Sequence, residues 1–460
     1  MPGASARSAD TASAEKIGAA AVSIMGNAGS SPADLIRITV GSRQSTVDRA
    51  ALPHPGGRLS AASRHATLTF VKRILPAALF AVGAAVLLGA TSLLPARVDS
   101  VARSVEEVRE RRFARTVPAS EIGEQELKKV LKAKIGESFP TSPADTMRTL
   151  VAFGLIDETP GLLEKLVDFY ASQVIAFYDP EPRRFFVVRG AEKTLDSGGM
   201  PGMEGMAEKL IFAHELTHAL QDESMGLDAR MKALKDDGDR GLALQSLLEG
   251  EATVVMVRVV ISDLPGDASE LEETLEPLLS AGALEKANVP KDLPPYFVDQ
   301  LFFPYVDGTA FVRRGLKKGG WKEIDRLWKD PPKSTSEILH DGLRFEPAGD
   351  LLPADGAKLA PQGSRYLYSD TLGEWTVRFL LRRTLPASEA DDAAAGWRGD
   401  RIAFYGSGSA IAYIWRVRWE SAAAAERFEG AWKKARTKKE LVYHKGADVF
   451  VIAGFAKPPV

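Results

Sequence analysis

His214-Glu215-Leu216-Thr217-His218 constrains this chain more than any other stretch. Residues i and i+4 of an α-helix share a face, so a helix here brings both imidazoles to one point with Glu215 beside them. The flanks favour that helix. Met206, Leu210, Ala213 and Leu220 recur near helical spacing, Phe212, Leu216 and Ala219 form a second apolar stripe, and neither Pro nor Gly interrupts Met206 to Glu223. A helix apolar on nearly all sides is a buried one. Two histidines and a glutamate in a dry interior are costly unless something pairs them. One metal ion does so, and zinc held this way by two histidines leaves Glu215 free to face a metal-bound water.

A catalytic zinc takes three protein ligands and a water, so a third ligand is needed from elsewhere. Beyond the apolar N-terminal segment the only other histidines are His340 and His444, alongside many carboxylates that include Glu249 and Glu251. At this level the choice stays open.

The motif resembles that of the gluzincin metallopeptidases, in which HExxH on one helix is completed by a Glu on a following helix, often with Ala three residues after that Glu. Glu249 has Ala252 at this offset, whereas Glu251 has Val254. The resemblance therefore implies His214, His218 and Glu249 as ligands of one zinc ion, with Glu251 near them without binding the metal. One position departs from the pattern: Thr253 stands where Asp or Asn usually orients a zinc-bound histidine, and Asp222 is the candidate for that task.

Further stretches extend the likeness. His214 to Asp222 reads His-Glu-Leu-Thr-His-Ala-Leu-Gln-Asp, and the chain carries Ala176-Phe177-Tyr178-Asp179-Pro180, Pro331-Pro332-Lys333-Ser334-Thr335-Ser336-Glu337-Ile338-Leu339-His340 and Ala395-Gly396-Trp397-Arg398-Gly399-Asp400-Arg401. Together, over about Glu121 to Gly454, these are similar to an uncharacterised family of bacterial exported HExxH zinc metallopeptidases without a defined substrate. The likeness implies an α+β, zincin-like fold, mostly helical, with a small upper-lobe sheet and a C-terminal α/β lobe. It also implies hydrolysis of a peptide or protein substrate, with Glu215 as general base on the zinc-bound water. The developing oxyanion then needs a donor, and Tyr305 and His340 are the candidates. The alternatives are a non-catalytic exported zinc-containing binding protein and a zinc hydrolase of non-peptide amides such as cell-wall components. An intact Glu215 favours an enzyme, because a structural zinc has no use for a carboxylate beside its first histidine.

Composition limits the rest. A chain of 460 residues, 45% hydrophobic and 26% charged, can bury a substantial core. A net charge of −2 lacks the basic footprint of a nucleic-acid binder. The absence of Cys removes disulfides, thiolate catalysis, Cys-ligated zinc and a lipid anchor on cysteine.

Arg64, Lys72 and Arg73 precede an uncharged apolar run that begins at Ile74, so 71–96 reads as a signal peptide or a single membrane anchor. Either puts the catalytic part outside the cytoplasm, periplasmic or extracellular, with the membrane as partner where the segment is uncleaved. About seventy residues rich in Ala, Ser, Gly and Arg come first, a composition that favours disorder, and Val71 is an alternative start. Residues 97–118 read as a charged surface helix or spacer, 119–345 as the catalytic region and 346–460 as the C-terminal lobe.

Within those regions the spacing predicts helices over 124–135, 162–177, 242–257 and 422–435. Strands are expected over 184–189, 402–405 and 411–419, with a hairpin over 441–455. The 242–257 helix is expected despite its β-branched Val254, Val255 and Val257. Strand 184–189 is a candidate edge for an extended peptide. Ser197 to Gly202 is a flexible loop, Trp397, Trp415 and Trp419 are core residues, and Arg398-Gly399-Asp400 matches an adhesion tripeptide by chance.

Overall fold

The structure is a computed structural model. It describes residues 94–190, 205–264, 272, 289–349, 351, 363–436 and 439–455. The expected N-terminal extension, all but the last three residues of the apolar run and the Ser197 to Gly202 loop lie outside the described residues. Among the described residues, no helix is long and apolar enough to cross a membrane.

The fold is mixed α and β. It opens with α1 (Leu94–Arg109), the stretch expected to be a charged surface helix or spacer. The helix is present and most of its charged side chains face solvent, but it also has a buried face. Leu94, Val98, Val101 and Val105 recur at helical spacing beneath the charges, and together with Arg109 they are buried against the rest of the molecule.

The first sheet has the order β1 (Ala119–Ile122), β3 (Arg184–Val188), β2 (Ala176–Asp179), with β1 parallel and β2 antiparallel to β3. Between β1 and β2 lie α2 (Glu124–Ser138), α3 (Pro143–Phe153) and α4 (Leu162–Gln173). The helix expected to run to residue 177 stops at Gln173, and Ala176 to Asp179 is strand. Val174 and Ile175 are β-branched and Phe177 and Tyr178 aromatic, so pairing with β3 outweighs the helical spacing. The strand at 184–188, a candidate substrate-binding edge, is central: β1 and β2 take its main-chain groups on both sides, and β2 is an edge.

Helix α5 (Met206–Met225) carries the HExxH motif and ends at Gly226, whose φ of 63° suits the residue that turns the chain into α6 (Leu227–Ala233). Next comes α7 (Gly238–Ile261), where Asp237 caps the first turn by accepting the Arg240 N–H. Every residue of α7 except Arg240 and Arg258 is buried, which is why β-branched residues tolerate a helix here. It packs along α8 (Pro295–Lys329), which kinks at Gly319 and Gly320, and against α5.

After α9 (Thr335–Leu339) the chain builds a five-stranded antiparallel sheet of order β4 (Arg365–Asp370), β5 (Trp397–Ser407), β6 (Ala410–Trp419), β8 (Asp448–Ala453), β7 (Leu441–Lys445). Helices α10 (Gly373–Arg382), α11 (Ala387–Ala394) and α12 (Ala422–Ala435) complete this part. Trp397, Trp415 and Trp419 are core residues, at most 1% exposed. Phe153 of α3 meets Phe404, Tyr413 and Trp415 edge-on, so one apolar core runs from α3 into the C-terminal sheet. Asp400 of the adhesion-like tripeptide is fully buried. It accepts the N–H groups of Leu372, Gly373, Trp397 and Trp415, and burial pushes its pKa up to about 6.

Asp448 begins β8 between Arg416 and Arg418 of β6. Burial raises its pKa, but the two guanidiniums outweigh burial and hold it below the usual carboxylate value. An acid whose pKa falls on folding adds stability above its unfolded pKa and loses it as pH drops through the folded value. Asp448→Asn is therefore expected to unfold at lower temperature than wild type near neutrality, with the gap closing below about pH 3.9. Parallel thermal melts across that range check this, and a gap that stays constant into acid would mean the contribution is not ionic.

Candidate metal centre

The four-residue step of the HExxH motif puts His214 and His218 on one face of α5, and α7 runs across that face with Glu249. His214 Nε2 lies 3.1 Å from Glu249 Oε2, the two histidine Nε2 atoms are 3.2 Å apart, and His218 Nε2 is 3.5 Å from the same oxygen. All three residues are buried, with ligand atoms within 4.8 Å of one another, and together they could hold a metal ion. Tetrahedral ligands at zinc distances of about 2.0 to 2.2 Å would stand about 3.3 to 3.6 Å apart. The donor set and its spacing therefore fit a divalent metal ion.

The charges balance within this cluster. Burial would raise the Glu249 pKa, but the charge on His218 and hydrogen bonds from both imidazoles hold it well below the usual carboxylate range. Burial likewise lowers that of His218, yet Glu249 more than reverses the effect and carries it to about 9. Glu215 does not join the trio. Its Oε2 accepts the main-chain N–H of Tyr178 at 3.0 Å, so the edge strand β2 holds a carboxylate beside the trio without making it a fourth member. Burial raises the Glu215 pKa against the pull of His218 and His214.

Tyr305 is brought to the same place by α8. Its ring stacks on His214, with centroids 5.8 Å apart and planes 19° apart. Burial, then the charges of Glu249 and Glu215, keep the phenol protonated. His340 is placed differently: its Nε2 is held by Glu374 at 2.8 Å, with Arg378 at 3.4 Å, and it is not among the side chains that converge. Asp222 also departs from its expected task. It accepts the Tyr178 hydroxyl at 3.0 Å and the Leu227 N–H at 2.9 Å, which joins α5 to β2 and caps α6.

The residue that does hold a histidine is Gln221. Its Oε1 lies 2.9 Å from His218 Nδ1, while its Nε2 donates to the Leu248 carbonyl and to Glu251. Its position three residues after His218 is the only sequence signal for that role. Arg109 and Trp328, which both reach Glu251, have none, because they lie 142 and 77 residues from it in the chain.

A domain of unknown function (DUF8575) matches residues 364–457, which are β4 to β8 and the helices among them and include none of the converging residues. No curated protein and no solved structure matches the chain.

Glycine sets the distance between the two helices that bring Glu249 and Tyr305 together. A Cβ on Gly250 would lie 2.2 Å from the Gly308 carbonyl oxygen, and one on Gly308 would lie 2.2 Å from that of Ser246. Backbone cannot yield as a flexible side chain can, so Gly250→Ala and Gly308→Ala are each expected to cost about 1 to 3 kcal/mol. Gly136→Ala, in a helix with nothing within 4 Å of the added carbon, is expected to stabilise by about 0.4 to 1 kcal/mol. Urea midpoints of the three variants decide, and a neutral Gly250→Ala would show that the crossing has slack.

Proposed function

We propose that this protein is a zinc-dependent metallopeptidase of zincin-like architecture, with His214, His218 and Glu249 as the ligands of one zinc ion and Glu215 as general base. The observation that carries the reading is the division of labour among four polar residues, of which His214, His218 and Glu249 are buried and Glu215 is partly exposed. Three converge on one point, and the fourth is turned onto the Tyr178 N–H, beside them but not among them. A zinc that served only to staple two helices would be closed by a fourth protein ligand, and it would have no use for a carboxylate held beside the trio.

When bound, zinc would polarise a carbonyl and lower the pKa of a coordinated water toward neutrality. The chain's residues supply the rest. Glu215, held in place by Tyr178, takes a proton from the attacking water and returns it to the leaving amine. Tyr305 donates toward the oxygen that gains charge during attack, a role that its stacking on His214 favours over His340. The outward edge of β2, on the side from which the Tyr178 N–H reaches Glu215, offers main-chain groups to an extended peptide. Two further groups suit a substrate rich in amides. Gln245, one turn before Glu249, and the Tyr170 hydroxyl, an electrostatic neighbour of Tyr305, are buried without a hydrogen-bond partner among the described residues. The apolar run that begins at Ile74, with basic residues before it, supports action outside the cytoplasm, tethered or released.

The test is metal content by elemental analysis together with hydrolysis of a mixed peptide library, on wild type, Glu215→Gln and Glu249→Gln. Wild type and Glu215→Gln are expected to hold about one zinc per chain and Glu249→Gln to lose it. Only wild type is expected to cleave at full rate, with Glu215→Gln slower by about 10²- to 10⁴-fold. Zinc without cleavage of any peptide would move the reading to a binding protein or a hydrolase of other amides. No zinc in wild type would overturn it.

A further inference from the structure

Glu251 is the fully buried carboxylate next to the metal trio that the proposed chemistry does not use. It faces away from Glu249, since two residues along an α-helix turn the side chain by about 200°. There it meets three N–H donors from three helices. Arg109 Nε of α1 lies at 2.5 Å from Oε1, and Trp328 Nε1 of α8 and Gln221 Nε2 of α5 lie at 2.7 and 2.9 Å from Oε2. Arg109 is itself 1% exposed, lies 4.5 Å from the Trp321 and Trp328 ring centroids, and reaches Asp325 at the surface. A buried ion pair of this kind adds little to stability, because desolvating both charges offsets most of their attraction. Its place in the structure asks for another reason.

The hydrogen-bond directions supply one. The Gln221 amide donates to the Leu248 carbonyl and to Glu251, so its oxygen is the atom presented to His218 Nδ1. In the neutral imidazole that a metal requires, an acceptor at Nδ1 keeps the proton there and gives the Nε2 lone pair to the side where His214 and Glu249 converge. Glu251 can face three donors because an ionised carboxylate only accepts, and in doing so it sets which way the Gln221 amide turns.

We propose that Glu251 is a positioning residue of the metal centre, acting on His218 through Gln221, and that Arg109 makes the N-terminal helix α1 part of that centre. The proposal rests on the reading of His214, His218 and Glu249 as a metal site. It extends the site along α1–Glu251–Gln221–His218 to a helix whose sequence reads as a charged spacer.

The experiment uses the full chain and measures Zn²⁺ affinity by chelator competition, the visible absorption spectrum of the Co²⁺-loaded protein, and metal-free unfolding. Three variants are compared with wild type: Glu251→Gln, Gln221→Leu, and the double variant Arg109→Met with Glu251→Leu. Glu251→Gln must turn an amide NH₂ toward one of the donors, and Gln221→Leu removes the acceptor at Nδ1. Each is expected to weaken Zn²⁺ binding by about 10- to 100-fold and to alter the Co²⁺ bands. The double variant replaces the ion pair by apolar groups of similar size. Its metal-free melting point is expected to match or exceed wild type while its affinity falls over the same range, an outcome that a purely structural pair would not give. Wild-type affinity and an unchanged Co²⁺ spectrum in Glu251→Gln and Gln221→Leu would overturn the positioning role. Failure of wild type to bind either ion would overturn the underlying metal reading instead, so the two failures are distinct.

Discussion

The interior of this protein is organised by two carboxylates that sit two residues apart on a helix with almost no exposed surface. Glu249 and Glu251 point to different sides of α7, so one neutralising partner cannot serve both. Glu249 takes His214 and His218 from α5, and Glu251 takes Arg109 from α1. Leaving either acid unpaired in such a helix would cost about 3 to 5 kcal/mol, a large share of a domain's margin of stability. The positions of α1, α5 and α8 around α7 follow from satisfying these two charges as much as from burying apolar surface.

Gly250 lies between the two acids, and its place is as constrained as theirs. Glycine inside a helix costs about 0.5 to 1 kcal/mol relative to alanine. That cost is offset here because the bare backbone admits Gly308 of α8 to contact, a few residues after Tyr305. The tight crossing lets Tyr305 stack on His214, and further along α8 Trp328 reaches the opposite side of α7. Small residue and charged neighbours thus act together: the glycine sets the separation, and the acids select which side chains occupy the space.

Much of this was legible in the chain. HExxH states both imidazoles and Glu215 by its four-residue step, and the uninterrupted apolar pattern around it gives the buried helix. The aromatic C-terminal stretch likewise announces its core, since Trp415 and Trp419 sit at strand-spaced positions of β6 that face inward. What could not be read locally was decided by partners far away in sequence. Phe177 ends a stretch of helical spacing, yet β3 captures it together with Tyr178 as an edge strand, and without that strand Glu215 would lack the N–H that holds it. Asp222 occupies the ligand side of α5 by its spacing, but Tyr178 and Leu227 claim it first, which leaves Gln221 to hold His218. Arg109 belongs to a run of charges whose other members face solvent, and only the fold distinguishes the one that is buried.

The C-terminal part contributes none of the converging residues, yet it determines where α7 begins. Gly238 N–H donates to Asp370 of β4, Asp239 N–H to the Thr371 carbonyl, and Asp239 accepts from Thr335 of α9. Arg401 of β5 donates to the Asp236 carbonyl just before the helix. Asp400, beside it, ties Leu372 and Gly373 to the indoles of Trp397 and Trp415, so the loop that receives Asp239 is itself fixed from the sheet. Gly373 is required in that loop twice over, by a φ of 79° and by the carboxylate of Asp239 lying where a Cβ would stand. A helix anchored this firmly at its first turn projects Glu249 and Glu251 from a defined origin. The pairing of the two acids needs that, since an α7 free to slide by one residue would rotate both away from their partners.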